Sequence, residues 1–221
     1  MKHVPNALTL LRLVLAPVIA WLYWSGATAL QSSHGVMESD YNAAKASLAA
    51  AAALFAVAAL TDLFDGMIAR AFNAHSKLGR IIDPIADKAL VGLPLIAIVW
   101  VMVQKSGFMG IATSLVAIAV GVIVVRDVLM TWIRLSSPDG EGARVSSLAK
   151  IKTALELFVV GAFLVGSALQ PHLWDAAADT IDGQKLYFDL TGPAVLIWLA
   201  LLVITAALSA YTGWQYLRPK R

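Results

Sequence analysis

Four aspartates, Asp62, Asp65, Asp83 and Asp87, lie within one otherwise apolar stretch of the chain. Asp62 and Asp65 are three residues apart, and Asp83 and Asp87 are four apart, so on helices each pair shares one face. Carboxylates are costly in a sequence apolar enough to lie in a membrane, and those that occur there usually have a function. The residue types and their spacing therefore predict a polar site on two successive helices.

The two helices that carry these aspartates are expected to form a hairpin, because only a short polar segment, 73–77, separates them. With a rise of about 1.5 Å per residue, an antiparallel pair puts the four carboxylates at similar depth. Four such charges repel one another in a low dielectric, so they must be protonated, hydrated or held by cations. The chain has no cysteine, and an all-oxygen ligand set favours a hard ion, Mg²⁺ or Mn²⁺, with enough ligands for two.

The composition is that of a membrane protein. Of 221 residues, 59% are hydrophobic and 14% are charged, whereas in a soluble domain about a quarter are charged. Since each bilayer crossing needs about 20 apolar residues, the chain has room for roughly six or seven spans. We predict an all-α integral membrane protein that forms one membrane-embedded domain over residues 1–221, with no nucleic-acid partner.

Hydropathy predicts a short N-terminal amphipathic interfacial segment and six transmembrane helices. The predicted spans are 8–25, 44–72, 78–103, 111–135, 148–169 and 190–217. Most lysines and arginines fall near the termini and the second and fourth connections; only Lys45, Lys105 and Lys185 lie towards the other side. By the positive-inside rule, the termini and those two connections face the cytoplasm, and so does the predicted acidic site.

A second group of residues that could bind a ligand is basic. Arg126 lies in the predicted fourth span near the depth of the aspartates, and Arg134, Lys150 and Lys152 surround the same cytoplasmic mouth. An intramembrane arginine is a functional candidate by default, and such a cluster suits a phosphate-bearing ligand. Two alternatives stay open. Arg134, Lys150 and Lys152 could contact lipid head groups. Arg126 could form a structural ion pair with one of the aspartates or with Glu156.

The acidic stretch resembles the signature of the CDP-alcohol phosphotransferase family, DxxDGxxAR followed after eight residues by GxxxDxxxD. The fixed positions of this signature are occupied here by Asp62, Asp65, Gly66, Ala69, Arg70, Gly79, Asp83 and Asp87. The segment from Val4 to Arg12 is also similar to the family's N-terminal PNxLTxxR element. Together with the six-span plan, the resemblance covers most of the chain.

This resemblance implies a membrane enzyme that transfers the phosphatidyl group of CDP-diacylglycerol to an alcohol and releases CMP. Asp62, Asp65 and Asp83 would be metal ligands, and Asp87 would lie near the metals as the base that takes the acceptor's hydroxyl proton. The residues that would bind the cytidine diphosphate are Asn6, Asp62, Gly66, Ala69, Arg70 and Gly79. The resemblance further implies a homodimer, surrounded by membrane lipids, in a bacterial inner membrane.

The acceptor alcohol is predicted from the second half of the chain. Residues 148–154 resemble the KxKT element of phosphatidylglycerophosphate synthases, whose acceptor is glycerol 3-phosphate. A cluster of Arg126, Arg134, Lys150 and Lys152 suits that small, doubly charged phosphate, so we expect glycerol 3-phosphate. Asp127 and the Ser-Ala-Tyr at 209–211 look more like the CMP-forming cardiolipin synthases, whose acceptor is phosphatidylglycerol. Inositol-phosphate transfer is a third option.

A function of another class is ion or proton transport, because intramembrane acids also mark transport pathways. Transport acids, however, usually lie along a route or at the midplane of repeated, interrupted helices. Here they are confined to one hairpin near one face of the membrane. Metal-dependent release of CMP from CDP-diacylglycerol would distinguish the enzyme from a transporter.

Overall fold

The computed structural model of the chain describes residues 4–31, 38–72, 79–106, 110–136, 147–178 and 193–217. Every element in these ranges is an α-helix, which confirms the all-α prediction. The six helices are α1 (Val4–Gln31), α2 (Glu38–Phe72), α3 (Gly79–Ser106), α4 (Ile111–Ser136), α5 (Ser147–Ala178) and α6 (Pro193–Leu217).

Five of these helices, α1 to α4 and α6, are long and apolar enough to cross a membrane. The remaining helix, α5, has 32 residues and carries charged side chains in its first turns, among them Lys152 and Glu156. Both of these side chains are buried inside the bundle, where they pair with each other, so neither charge faces lipid. The chain is an integral membrane protein, and its six helices agree with the six predicted spans.

The helices extend beyond several of the predicted spans. The first helix begins at Val4, so the predicted interfacial segment continues into the first span as one helix. The second begins at Glu38, where two acidic residues in its first turn interact favourably with the positive end of the helix dipole. Hydropathy locates only the apolar part of a helix, which explains why the polar ends were not predicted. The predicted turn at 73–77 lies outside the described residues.

The helices pack in a closed order around one apolar core. The neighbours follow the sequence α1, α2, α5, α6, α4, α3 and back to α1, and α3 also contacts α5 across the middle. Buried side chains from successive helices fill the centre, among them Ile19, Phe55, Leu95, Ile123 and Leu202. Large apolar side chains that face outwards, such as those on α4 at every turn, suit a lipid environment.

The contact between α1 and α2 is especially close at Gly26. A Cβ atom at this position would lie 2.9 Å from the carbonyl oxygen of Ala44 and 3.0 Å from Cγ of Leu48. Small residues allow such backbone approach between membrane helices. As a result, α1 lies directly against the helix that carries the first two aspartates.

Candidate active site

Three of the four predicted aspartates converge on one face of α1. Asp62 comes from the C-terminal part of α2, and Asp83 and Asp87 come from the first turns of α3. The buried Arg12 donates from Nη1 to Oδ1 of both Asp62 and Asp87, and its distance to Asp87 is 2.6 Å. Thr9 donates from Oγ1 to Oδ1 of Asp83 at 2.5 Å. Because Thr9 and Arg12 are three residues apart, one face of α1 reaches all three acids.

Several predicted site residues have side chains outside the described part of the chain. They lie on α1, α2, α3 and α4 and are Asn6, Asp65, Gly66, Ala69, Arg70, Gly79 and Arg134. Their assignments therefore remain predictions from the sequence.

The described acids have the donor chemistry of a hard-cation site. Among the side chains that the structure describes, no three acidic or histidine side chains are arranged so that they could enclose an ion. The side chain of Asp65 is not one of the described side chains. Arg12 lies between Asp62 and Asp87 and supplies the positive charge that close carboxylates need in a low dielectric. Carboxylate oxygens are the ligands that Mg²⁺ and Mn²⁺ prefer, so the residue types fit such an ion, which would share these acids with Arg12.

A second charged cluster surrounds Asp127 on α4. The buried Asp127 carboxylate forms ion pairs with three cations, Lys88 of α3 at 2.9 Å, Lys152 of α5 at 2.5 Å and Arg126 of its own helix at 2.9 Å. The Lys152 ammonium also lies 2.7 Å from Oε1 of Glu156, one turn further along α5. Three cations from three helices thus gather around two buried carboxylates.

The two clusters line one cavity of about 240 Å³. Its lining includes acids of the motif and members of the Asp127 cluster. The charged residues that line the cavity are Asp62, Asp83, Asp87, Lys88, Arg126, Lys152 and Glu156. The arrangement can hold an anionic ligand between cations while one end of that ligand lies beside the carboxylates.

The predicted basic residues do not all reach this cavity. Arg126 and Lys152 line it, whereas Lys150 is exposed and is not part of the lining. Two residues apart on an α-helix, Lys150 and Lys152 point to nearly opposite faces, which explains the difference. The predicted alternative for Arg126, an ion pair with a motif aspartate or with Glu156, is replaced by a pair with Asp127.

Sequence reasoning did not assign roles in the site to Thr9, Arg12 or Asp127. The available signal for Thr9 and Arg12 was their position in the N-terminal PNxLTxxR element, three residues apart and therefore on one face. For Asp127 it was adjacency to an intramembrane arginine. Lys88 of α3 also belongs to the site, because it pairs with Asp127 and lines the cavity.

Comparison with known proteins identifies relatives over almost the whole chain. A CDP-diacylglycerol–glycerol-3-phosphate 3-phosphatidyltransferase of Cereibacter sphaeroides is 31% identical, covering 97% of this chain and 94% of the relative. The protein of the same name from Rickettsia typhi is 30% identical, covering 99% and 97%. A cardiolipin synthase (CMP-forming) of Rattus norvegicus is 30% identical over 96% of this chain, which spans 61% of that protein.

A family-level comparison agrees with the motif. The sequence model of the family described as CDP-alcohol phosphatidyltransferase matches residues 2–205, a range that includes both charged clusters. The resemblance predicted from the aspartate signature is therefore confirmed. The chain belongs to the CDP-alcohol phosphatidyltransferase family.

Proposed function

We propose that this protein transfers the phosphatidyl group of CDP-diacylglycerol to glycerol 3-phosphate, giving phosphatidylglycerophosphate and CMP. The observation that carries the proposal is that three motif aspartates, Arg126 and Lys152 line the same cavity. The acids suit the diphosphate-cleaving half of the reaction, and the cations suit an acceptor that carries a phosphate. The names and coverage of the bacterial relatives support the same acceptor.

We assign divalent cations, Mg²⁺ or Mn²⁺ and two per site, to the four motif acids, Asp62, Asp65, Asp83 and Asp87. When bound, such cations neutralise charge on the diphosphate and on the leaving CMP. The remaining motif residues would bind the cytidine diphosphate with Asp62. They are Asn6, Gly66, Ala69, Arg70 and Gly79.

In the proposed transfer, the acceptor's hydroxyl oxygen forms a bond to the phosphorus that bears the lipid. The bond from that phosphorus to the bridging oxygen breaks, and CMP leaves with the electron pair. Asp87, whose side chain is 42% exposed and lines the cavity, takes the hydroxyl proton. Arg126 and Lys152 hold the acceptor's phosphate, and Arg134 and Lys150 attract it from the surface around the cavity mouth.

We also propose that the site faces the cytoplasm from a bacterial inner membrane and that the enzyme is a homodimer within membrane lipid. The orientation is supported by the lysines and arginines near the end of the bundle that carries the site. The bacterial sources of several relatives support the membrane. The dimer follows from family resemblance.

A second candidate is cardiolipin synthesis with phosphatidylglycerol as the acceptor. Asp127, which follows Arg126, is the specific observation in its favour, because it neutralises part of the cation cluster and so suits a singly charged phosphodiester. The identity to the rat cardiolipin synthase adds to it. Ion or proton transport is not supported, since the family to which the chain belongs is one of transferases.

The decisive experiment offers purified enzyme CDP-diacylglycerol with glycerol 3-phosphate, phosphatidylglycerol or inositol phosphate, and measures CMP and the lipid product. Glycerol 3-phosphate should give the highest kcat/KM, chelation should stop turnover, and added Mg²⁺ or Mn²⁺ should restore it. Preference for phosphatidylglycerol would replace the proposed acceptor. CMP release that is unaffected by chelation would refute the metal assignment.

A further inference from the structure

Arg126 rests on helix α6 at two adjacent residues, Thr212 and Gly213. Its Nη2 donates to Oγ1 of Thr212 at 3.1 Å. The stem of the same side chain lies over Gly213, where an added Cβ atom would be 3.0 Å from Cγ and 3.6 Å from Nε of Arg126. The absence of a side chain at Gly213 is therefore what gives Arg126 its path across the α4–α6 contact.

Thr212 is oriented to accept this hydrogen bond. Its hydroxyl donates to the carbonyl oxygen of Leu208 at 2.9 Å, within its own helix. With its proton engaged there, the oxygen presents a lone pair to the guanidinium. On the other side, Nη1 of Arg126 donates to Asp127 at 2.9 Å. Two of the three guanidinium nitrogens are thus held by neighbouring side chains before any ligand arrives.

We propose that Thr212 and Gly213 are positioning residues that set the pose in which Arg126 binds the acceptor's phosphate. The inference rests on the proposed function and deepens it. A long, flexible side chain that is fixed in its binding pose loses less conformational entropy when the ligand binds. Neither α6 residue touches the reacting atoms; both act through Arg126.

Enlarging residue 213 should displace Arg126 rather than be absorbed by it. The atom that a new Cβ meets first is Cγ, near the root of the side chain, and not its flexible end. Cγ can move away only if χ1 changes or if α4 and α6 separate. Either movement lengthens the hydrogen bond to Thr212 and shifts the guanidinium in the cavity.

The experiment measures KM and kcat for glycerol 3-phosphate, and KM for CDP-diacylglycerol, in Gly213→Ala and Gly213→Val. The acceptor KM should rise about 10-fold in Gly213→Ala and further in Gly213→Val, because displacement of a binding group by about 1 Å can cost up to a hundredfold. The KM for CDP-diacylglycerol should not change. Gly121→Ala on α4 and Gly166→Ala on α5 are matched controls, since an added Cβ meets nothing within 4 Å at either position.

Thr212 provides a test that does not depend on added bulk. Thr212→Val keeps the shape but removes the acceptor oxygen, so the acceptor KM should rise by about 10-fold, the range expected for a hydrogen bond to a charged group. Thr212→Ser keeps the oxygen and should restore the wild-type value. This pair keeps the proposal testable if Gly213→Val does not fold.

Three outcomes separate the possibilities. A raised acceptor KM in Gly213→Ala and Thr212→Val, with normal values in the controls and in Thr212→Ser, supports the proposal. If Arg126→Ala raises the acceptor KM but the α6 variants do not, or if they lower kcat alone, the positioning role is refuted and the proposed function stands. If Arg126→Ala leaves the acceptor KM unchanged, the assigned role of Arg126 fails and this inference fails with it.

Discussion

Arg12 on α1 lies 2.6 Å from Asp87 on α3, through a hydrogen bond from Nη1 to Oδ1. The same nitrogen donates to Asp62 on α2, so one guanidinium joins three helices. The N-terminal helix is therefore part of the acidic site and not only a membrane anchor. The positive charge of Arg12 and any divalent cation would act on the same carboxylates.

The first prediction concerns this charge. In Arg12→Gln, Asp62 and Asp87 lose their shared counter-charge, so the free energy of unfolding measured in chelator should fall by about 1–3 kcal/mol. This loss is smaller than that for a fully buried ion pair, because both acids are partly exposed. Added Mg²⁺ should stabilise the variant more than the wild type. The measurement is thermal unfolding in detergent with and without Mg²⁺, and Arg12→Lys, which keeps the charge, serves as control. Equal Mg²⁺ stabilisation of both proteins would contradict the prediction.

The second prediction concerns Asp87 as the proposed base. Asp87→Asn should lower kcat for CMP release by about 100-fold or more, the usual scale for loss of a general base. Binding of CDP-diacylglycerol should persist, because the other motif acids remain. Single-turnover assays together with nucleotide-lipid binding would separate the two effects. Wild-type turnover in this variant would remove Asp87 from the chemistry.

The third prediction contrasts two lysines on α5. Lys152→Met leaves the Asp127 and Glu156 carboxylates buried without this cation, and should lower the free energy of unfolding by about 3–5 kcal/mol. The exposed Lys150 has no such role, so Lys150→Met should change it by no more than about 0.5 kcal/mol. Denaturant titration in micelles measures both values. Adding Glu156→Gln to Lys152→Met should recover part of the loss, and a purely additive double variant would argue against a coupled pair.

The fourth prediction concerns the contact between α1 and α2. Gly26→Ala would place a Cβ atom 2.9 Å from a backbone oxygen of Ala44, which cannot move aside as a side-chain end could. The free energy of unfolding should fall by about 1–3 kcal/mol, the usual cost of overpacking. At Gly166 an added Cβ meets nothing within 4 Å, so Gly166→Ala should be neutral or stabilising by up to about 1 kcal/mol. Similar melting temperatures for the two variants would refute the close-contact explanation.

Much of the fold could be predicted because a membrane restricts a chain of this composition to helices long enough to cross it. Six apolar stretches gave six helices, and the convergence of Asp62, Asp83 and Asp87 followed from the spacing of two helices and a short turn. Hydropathy could not predict the helix ends, because polar residues, such as those in the first turn of α2 from Glu38, lie beyond the apolar stretch.

Contacts between distant helices were the part of the site that sequence did not predict. Neither the pairing of Arg12 with Asp87, on α1 and α3, nor that of Lys152 with Asp127, on α5 and α4, follows from local spacing, because each depends on how two separate helices pack. The period of the helix could have separated Lys150 from Lys152, which lie on nearly opposite faces. The role of Gly213 could not be predicted from the sequence either, because it depends on the path of the Arg126 side chain from another helix.

The site is divided along the chain: the motif acids and the Arg12 that pairs with them come from α1 to α3, while Arg126, Lys152 and the residues that support Arg126 come from α4 to α6. Under the proposed function, the first half of the protein cleaves the donor and the second half chooses the alcohol. Substitutions in α4, α5 and α6 can then change the choice of alcohol during evolution without disturbing cleavage of the donor's diphosphate. A chimaera that joins the first three helices of this chain to the last three of a relative should inherit the relative's alcohol.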